Sequence, residues 1–459
     1  MVRRLARVQI PGWQAALAIV VGVGALLWHV LACTESPMAF SPSGKDLAFV
    51  TVEPYKADDD GFVAGAQVFR LMVLSEGGKL RVVEEASDSM LSAPAYSPDG
   101  KHLCYLRIPL LTEREAKRLH QQIGECEQAW EEAEKRSCER ESLFDQPPGA
   151  ATRPATQPSL AVDDQALPSL AGISRVYREL TVTPTVRVSL VVRDAKTDTL
   201  ICQVAVVLPY PENLMISYLT VRPQYTPDGG AVYLCLSPLF MRVDLASGEV
   251  HVVAVPAQVG ALSPDGRTAA VIQEGAIGFV RTDGQRTIYR RWSEGVSPSG
   301  MVWIDSARLA LLTADSDEPV LQVLLANSDT VETLPLKLPE HARDDANMGE
   351  LAIAPDGKHM VVSYGENVFF MSRGGEVLRH WHADEGTALV QPTFAPDSKR
   401  VAFKLMVKQE GSHPRADSIA FFGPNGSELS RRAIPRIDPA STRPTSQPVD
   451  APLDVRTGE

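Results

Sequence analysis

Two histidines and two carboxylates form the one compact His/carboxylate group in the sequence, and side chains of these types can bind a metal ion. His380 and His382 alternate along a predicted strand, and Asp384 and Glu385 follow them. Alternate residues of a strand share one face, so both imidazoles could contact the same ion. No third ligand from a neighbouring strand can be identified in the sequence. We therefore interpret the group as exposed strand-end residues and predict no metal site.

The acidic loop at residues 57–61 (ADDDG) is a second candidate for metal binding. Carboxylates beside a glycine turn suit a hard cation, but consecutive aspartates lack the alternating ligand spacing of an EF-hand. We interpret the loop as a solvated acidic segment. The sequence also contains no GxSxG, HExxH or P-loop motif. We accordingly predict no catalytic residues, no cofactor and no enzymatic activity.

These residues belong to a chain that is organised by a repeated segment. The clearest copy is YSPDGKHLCYL, which begins at Tyr96. Weaker copies begin at residues 40 (FSPSGKDLAFV), 225 (YTPDGGAVYLC), 262 (LSPDGRTAAVI), 353 (IAPDGKHMVVS) and 394 (FAPDSKRVAFK), and a degenerate one at 303 (WIDSARLALL). Proline presets φ, aspartate bonds its own backbone and glycine accepts a positive φ. Each copy therefore predicts a tight β-hairpin.

A second polar turn follows most copies after roughly 20 residues, at 75–78, 194–197, 244–248, 281–284, 327–329, 372–375 and 423–426. Two hairpins per unit predict a four-stranded antiparallel sheet. A repeat of roughly 35 to 55 residues is typical of a propeller blade rather than of a helical solenoid. The seven units therefore predict an all-β propeller of about seven four-stranded blades.

The repeat resembles the TolB-type, WD40-like β-propeller repeat, in which an aromatic or apolar residue precedes SPDGK and a short apolar strand. The resemblance covers about 330 residues and implies the fold, whereas propellers serve both as scaffolds and as enzymes. The chain departs from TolB in three respects. It shows no α/β domain ahead of the propeller, it has seven units where TolB has six blades, and the copy at Trp303 has lost Pro-Asp-Gly.

An insertion interrupts the predicted second blade between Arg107 and Val176. It begins with the capping box TERE at residues 112–115 and continues as a charged helix to about Ser142. The less polar residues of that helix recur three and four apart, a coiled-coil-like spacing: Ala116, Leu119, Ile123, Cys126, Trp130, Ala133 and Ser137. The stripe could dock on the propeller, or pair with a second copy or another protein. A linker rich in Pro, Ala, Thr and Gln follows to Leu170.

The chain begins with a basic and then hydrophobic segment, which predicts an N-terminal hydrophobic helix. The apolar run from Trp13 to Ala32 is long enough to cross a bilayer at 1.5 Å per residue. It ends in VLAC, which resembles a bacterial lipoprotein box and implies acylation of Cys33. An uncleaved signal anchor and a secretory signal peptide are the alternatives. All three interpretations predict export of the propeller.

Charge and cysteine content limit the partners. The net charge is −12, and the N-terminal segment contributes only positive charge, so the remainder is still more acidic. Such a surface repels phosphate backbones, and we predict no nucleic-acid partner. Cys104, Cys202 and Cys235 lie in predicted strands and are interpreted as core thiols. Cys126 and Cys138 lie too far apart along the predicted helix to form a disulfide.

The predicted organisation has five parts: a signal peptide or membrane anchor (1–33), a first propeller part (34–107), the helical and Pro-rich insertion (108–176), a second propeller part (177–435) and a disordered tail (436–459). The short turns share one face of the disc. The insertion, the acidic loop and the loop at 408–417 belong to the opposite face, where recognition by long loops is expected.

We predict a membrane-anchored protein of the bacterial cell envelope, facing the periplasm or exterior. It would act as a non-catalytic scaffold that displays its long-loop face to an envelope protein or a polymer. The alternative is a propeller enzyme, or a ligand or metal sensor, that uses the central channel. Three or more converging ligand or acid/base groups at one channel mouth would favour that alternative, whereas a channel lined by apolar or unpaired residues would favour the scaffold.

Overall fold

The computed structural model describes most of the predicted propeller. Its described residues are 37–54, 67–110, 121, 185–209, 221–236, 239–254, 257, 259–273, 276–282, 287–291, 297–315, 318–326, 328, 331–336, 350–364, 366–384, 386–407 and 415–434. Within these residues the chain forms seven separate antiparallel sheets, each built from strands that are consecutive in sequence. The predicted all-β propeller of seven blades is therefore confirmed.

The first three blades occupy the chain as far as Ala254. Blade one contains β1 (Ala39–Phe40), β2 (Asp46–Pro54), β3 (Gln67–Ser75) and β4 (Leu80–Ala86). Blade two contains β5 (Ser89–Leu91), β6 (Ala95–Tyr96), β7 (His102–Pro109), β8 (Thr185–Asp194) and β9 (Leu200–Pro209). Its innermost strand is divided into β5 and β6 around Pro94, which has no N–H for the sheet. Blade three contains β10 (Gln224–Tyr225), β11 (Ala231–Leu236), β12 (Leu239–Asp244) and β13 (Val250–Ala254).

The remaining four blades complete the ring. Blade four contains β14 (Val259–Leu262), β15 (Thr268–Gln273), β16 (Ala276–Arg281) and β17 (Thr287–Arg291). Blade five contains β18 (Ser297–Trp303), β19 (Arg308–Asp315), β20 (Glu318–Leu325) and β21 (Val331–Pro335). Blade six contains β22 (Glu350–Ile353), β23 (His359–Tyr364), β24 (Asn367–Ser372) and β25 (Val377–His382). Blade seven contains β26 (Thr387–Phe394), β27 (Val401–Val407), β28 (Arg415–Phe422) and β29 (Glu428–Ala433).

Apolar side chains fill the interfaces between neighbouring blades. The alternation of the strands places one set of side chains on each face of a blade, and each face packs on the next blade. Between blades six and seven, for example, the rings of Phe370 and Phe403 meet edge to face with centroids 5.9 Å apart. The first strands of the blades contact one another around the central channel.

The ring closes by side-chain packing and not by exchange of a strand, because each blade uses only its own consecutive strands. An apolar cluster joins blade one to blade seven, with Phe49 and Ile419 among its buried residues. Two cations of blade seven also donate to carbonyl oxygens of blade one: Arg400 Nη2 to Gly44 O, and Lys404 Nζ to Val50 O, both at 2.8 Å. This seam is where the two ends of the propeller meet.

The repeated Pro-Asp-Gly turns also hold neighbouring blades together. Gly266 lies at a φ of +70°, and a Cβ added there would lie 2.4 Å from Cδ of Pro227 in the preceding blade. The same glycine-to-proline contact recurs at Gly44 on Pro396, Gly100 on Pro42 and Gly229 on Pro98. The repeat motif therefore contributes to packing between blades as well as to the turn.

The turns between the first and second and between the third and fourth strands lie on one face, which we call the turn face. None of them is longer than the six residues 395–400. The connections between second and third strands lie on the opposite, long-loop face. There the chain leaves β2 at Pro54 and returns at Gln67, and it leaves β7 at Pro109 and returns at Thr185. The predicted division of short and long connections between the two faces is confirmed.

The helical components of the predicted fold class are wrong. Every secondary-structure element of the described residues is a β-strand, and Gln121, with helical backbone conformation, forms no element. The amphipathic spacing of the insertion is a local pattern, and a helix this polar buries little apolar surface against the propeller. All seven residues of that spacing, the hydrophobic N-terminal run and the tail from 435 onward lie outside the described residues. In the described part of the chain, no helix has the length and apolarity to span a membrane.

Candidate functional site at the channel mouth

Polar side chains from blades three, six and seven converge at the mouth of the central channel on the long-loop face. The first strand of each blade begins at this face, because its other end leads into a turn on the turn face. Glu350 is the first residue of β22, and Arg222 lies just before β10. Gln391 lies within β26, the first strand of blade seven. The fold therefore brings together residues far apart in sequence.

Arg222 reaches across the channel. Its Nη2 donates to Met38 O of blade one at 3.2 Å, and its charge interacts with the Glu350 carboxylate of blade six. Blades three and six lie on opposite sides of the ring. Arg222 is solvent-exposed, but the surrounding blades reduce its hydration. This desolvation lowers the pKa of Arg222, and the negative charge of Glu350 opposes the shift. These observations place the guanidinium in the channel.

Glu350 lies opposite Arg222 and is held by its neighbours. The Gln391 backbone N–H donates to Glu350 Oε2, and Ser363 Oγ lies 3.4 Å from the same atom. Desolvation raises the pKa of Glu350, while the hydrogen bonds from Gln391 and Ser363 and the charges of Lys404 and Arg222 act in the opposite sense. The net direction is upward, so the enclosure of the carboxyl outweighs its favourable contacts.

Gln391 has an unusual backbone and an unused polar atom. Its φ is +59°, a left-handed conformation that a residue with a Cβ seldom adopts, and it lies in a register shift of β26 between Val390 and Thr393. The residue is 6% exposed, and its buried Oε1 has no hydrogen-bond partner among the described residues. Backbone strain and unpaired buried polar atoms concentrate at functional sites.

Lys404 completes the cluster from behind the channel wall. It is 0% exposed, and its Nζ donates to Val50 O across the seam. The sequence does contain a signal for this residue, although Lys404 belongs to none of the predicted sites. The eleventh position of the repeat is Val50, Leu106, Cys235 and Ile272 in four copies, but Ser363 and Lys404 in the last two. Polar residues at a position that is otherwise core indicate a local function.

Of the residues that the sequence suggested as possible metal ligands, the structure describes some and leaves others outside the described residues. The acidic loop at 57–61 and Glu385 lie outside the described residues, as does Cys33. His380 Nε2 and His382 Nδ1 lie 2.9 and 3.1 Å from Asn367 Oδ1, and the His380 ring stacks on Phe369. The two imidazoles thus share one strand face, as predicted, on the outermost strand of blade six. No group of three or more potential metal ligands occurs in the part of the chain that the structure describes.

The strand cysteines are free thiols. Cys104 is a core thiol, as predicted, whereas Cys202 and Cys235 are half-buried. Cys104 is 0% exposed, and burial raises the pKa of Cys104 and of Cys235 to about 12. Burial also raises the pKa of Cys202. A thiol must ionise to act as a nucleophile, so burial disfavours reaction of Cys104 and Cys235 at neutral pH.

A second polar cluster joins blades one and two and has a structural role. Glu84 of β4 accepts hydrogen bonds from Tyr105 Oη and, at 2.8 Å, from Arg193 Nη2. Arg193 Nε in turn donates to Tyr105 Oη at 2.8 Å. Burial raises the pKa of Tyr105, and the Glu84 carboxylate adds to that shift. The mutual satisfaction of these groups in a buried interface indicates packing rather than chemistry.

A cleft of about 760 Å³, counted with its open mouth, lies on the turn face between blades five and six. It occurs where the degenerate repeat at Trp303 lacks Pro-Asp-Gly, so Ile304 replaces the usual proline against Gly357. Arg308 on its rim is held by Asp305, with Nε to Oδ2 at 2.7 Å. The cleft is thus a local consequence of the degenerate repeat.

No protein-family model matches the chain, and no curated protein matches it in sequence. Several solved structures are similar in fold. A prolyl endopeptidase is 11% identical with a TM-score of 0.47, over 89% of this chain and 52% of that one. The dihydro-heme d1 dehydrogenase NirN is 13% identical with a TM-score of 0.42, over 88% of this chain and 66% of that one. The Cps50 (Swd1) β-propeller domain of Myceliophteria thermophila is 11% identical with a TM-score of 0.39, over 55% of this chain and 83% of that one.

The chain spans about half the length of the prolyl endopeptidase and just under two thirds of the dehydrogenase. At these identities and TM-scores the similarity concerns the propeller fold, and neither peptidase nor heme chemistry transfers to this chain. The architecture is thus a seven-bladed β-propeller with a polar cluster at one mouth of its channel.

Proposed function

We propose that this chain is a non-catalytic binding scaffold of the bacterial cell envelope, held at the membrane by an acylated Cys33. The observation that carries the proposal is the unequal length of the connections on the two faces. Recognition in scaffold proteins is concentrated on loops that a rigid framework positions. The long-loop face is the surface that would meet an envelope protein or polymer.

The turn face supports the proposal by contrast. Its turns satisfy their own polar groups: Asp99 Oδ1 accepts from Ser97 Oγ at 2.7 Å and from Lys101 N at 3.1 Å. Asp265 and Asp228 make the equivalent bonds in their own turns. Groups engaged in this way are not available to a partner without loss of the turn. The turn face therefore contributes rigidity to the framework, whereas the long-loop face carries the connections whose lengths differ between blades.

The experiment compares cross-linked and affinity-captured proteins from native membranes for the full chain and for a variant in which a short Gly-Ser loop replaces 111–184. This replacement suits the fold because Arg107 of β7 already pairs with Ser189 of β8, so the strand ends are close. The matched control places the same loop at 76–79 on the turn face.

We expect a partner that the full chain and the control capture and the variant loses. Capture of the same partner by all three proteins would show that the blades themselves carry the binding surface. Capture by none of them would contradict the scaffold function. The anchor is tested separately by the mass of the mature N-terminus. An acylated Cys33 at the N-terminus is expected, whereas an unmodified Met1 would refute the lipoprotein interpretation.

A second candidate function, a ligand sensor that uses the channel, is favoured by the convergence of Arg222, Glu350 and Gln391 at one mouth. Arg222 and Glu350 are ionisable, and Gln391 adds a neutral acceptor, so the cluster supports a channel that binds a polar ligand. The two functions are compatible, because the same mouth opens on the long-loop face.

A further inference from the structure

We propose that the channel mouth on the long-loop face binds a carboxylate carried by a peptide, with Arg222 holding the carboxylate and Gln391 Oε1 accepting a neighbouring peptide N–H. The inference rests on the proposed binding function and assigns the chemistry of the partner: an acidic segment narrow enough to enter the channel.

The charge of the cluster favours an anion. Among the described residues of the cluster, Arg222 and Lys404 bring two positive charges against the carboxylate of Glu350, within a chain of net charge −12. Lys404 is fully buried and occupied at the seam, so Arg222 is the cation that a ligand in the channel can reach. An acidic protein with a local excess of positive charge attracts anions to that point.

The hydrogen-bonding capacity of the two residues favours a carboxylate on a peptide. A guanidinium has five N–H donors in a planar fork that matches a carboxylate, and Met38 O accepts one hydrogen bond from Arg222 among the described residues. Gln391 Oε1 is a buried acceptor without a partner in the same part of the structure. A peptide provides both complements at once, a side-chain carboxylate and a main-chain N–H several ångströms from it. An inorganic phosphate dianion has one O–H donor, but this donor is part of the same compact anion.

Glu350 allows a test in which two substitutions should change the ligand affinity in opposite directions. Its carboxylate is bonded by Gln391 N and interacts with Arg222, so it orients the cluster but competes with the ligand for the guanidinium. Neutralising Arg222 should therefore weaken binding, and neutralising Glu350 should strengthen it. A purely structural ion pair would not give opposite effects on ligand affinity.

The experiment is calorimetric titration of the full chain in detergent micelles. The first probe is the peptide acetyl-Gly-Ser-Asp-Glu-Gly-Ser-amide, the second is its neutral Asn-Gln counterpart, and the third is inorganic phosphate. The variants are Arg222→Gln and Glu350→Gln. Arg187→Gln is the matched control, because Arg187 is an exposed arginine on β8 away from the channel. Circular dichroism verifies that each variant retains its sheet structure.

We expect binding of the acidic peptide to the unmodified chain and to Arg187→Gln, weakened about tenfold or more by Arg222→Gln and strengthened about threefold or more by Glu350→Gln. The neutral peptide should not bind. Equal binding of the neutral peptide, equal loss in both channel variants, or no binding of the acidic peptide would each overturn the proposal. Phosphate binding at least as tight as the peptide would also overturn it, because the site would then require only a compact anion and not a peptide. If Arg222→Gln does not fold, the affinity of Glu350→Gln for the acidic peptide decides: an increase supports the proposal, and no increase overturns it. The titration needs no cellular partner. Peptide binding can therefore be absent when a partner is captured, or present when no partner is captured, so the two proposals fail independently.

Discussion

Substitution of Gly266 by alanine tests whether the Pro-Asp-Gly turns hold neighbouring blades together. A Cβ at Gly266 would lie 2.4 Å from Cδ and 3.0 Å from Cγ of Pro227. Both are far inside van der Waals contact, and both belong to a rigid ring. The residue also lies at a φ of +70°, which an alanine adopts only with strain. The substitution therefore combines a local backbone cost with an overlap between blades.

The two costs can be separated with Gly229, which has nearly the same φ, +71°. A Cβ there would lie 3.8 Å from Cδ of Pro98, an ordinary contact. Left-handed backbone costs an alanine about 1–2 kcal/mol, and the stiffer unfolded chain returns about 0.4–1 kcal/mol. Gly229→Ala should thus lose about 1 kcal/mol of unfolding free energy. Overpacking adds about 1–3 kcal/mol, so Gly266→Ala should lose about 2–4 kcal/mol.

Urea denaturation followed by tryptophan fluorescence measures both variants under identical conditions. A third variant, Gly266→Ala with Pro227→Ala, removes the two overlapping ring atoms and should recover about 1–2 kcal/mol relative to Gly266→Ala. Equal losses for Gly266→Ala and Gly229→Ala, with no recovery in the double variant, would refute the role of the turn in inter-blade packing.

Three further predictions concern other buried groups. Tyr105→Phe should lower the free energy of unfolding by about 1–3 kcal/mol in urea denaturation, because Arg193 Nε loses its acceptor and Glu84 loses a donor; an unchanged midpoint would contradict the network. The raised pKa of Glu350 means that the folded state binds its proton more tightly than the unfolded state does. Stability should therefore fall as pH rises above 4.5 and through the folded pKa, relative to Glu350→Gln; parallel stability profiles for the two proteins would be inconsistent with this. Cys104 should resist maleimide labelling at pH 8 in the folded chain and react in urea, as read by peptide mass spectrometry, and labelling in the folded chain would show that the strand is accessible.

The architecture was predictable because it is repeated. A single turn of this kind is a weak indication, but seven copies of the repeat, four of them with Pro-Asp-Gly, and their alternating second turns leave few folds other than a propeller. The turns at 372–375 and 423–426, for example, separate β24 from β25 and β28 from β29 as the sequence predicts. The charged helix from Thr112 was a poorer prediction, because its spacing occurs only once and no second copy in the sequence supports it.

The candidate site was only partly predictable. Lys404 and Ser363 were visible as polar residues at the eleventh position of the repeat. Arg222 was not, because it precedes a two-residue strand and belongs to no motif. The histidines at 380 and 382 are conspicuous by their spacing, yet the structure places them on the outermost strand of blade six, remote from the channel.

The sequence by itself determined the repeat, and with it the hairpins, the number of blades and the division of short and long connections between two faces. These properties depend on local turn chemistry and on the period of apolar residues, which each copy carries independently. Only the tertiary structure decided which polar residues meet. Closure of the ring brings Arg222 opposite Glu350 and Lys404 against Val50. Such contacts depend on the order of the blades and the register of the strands, and a local sequence pattern contains no information about either.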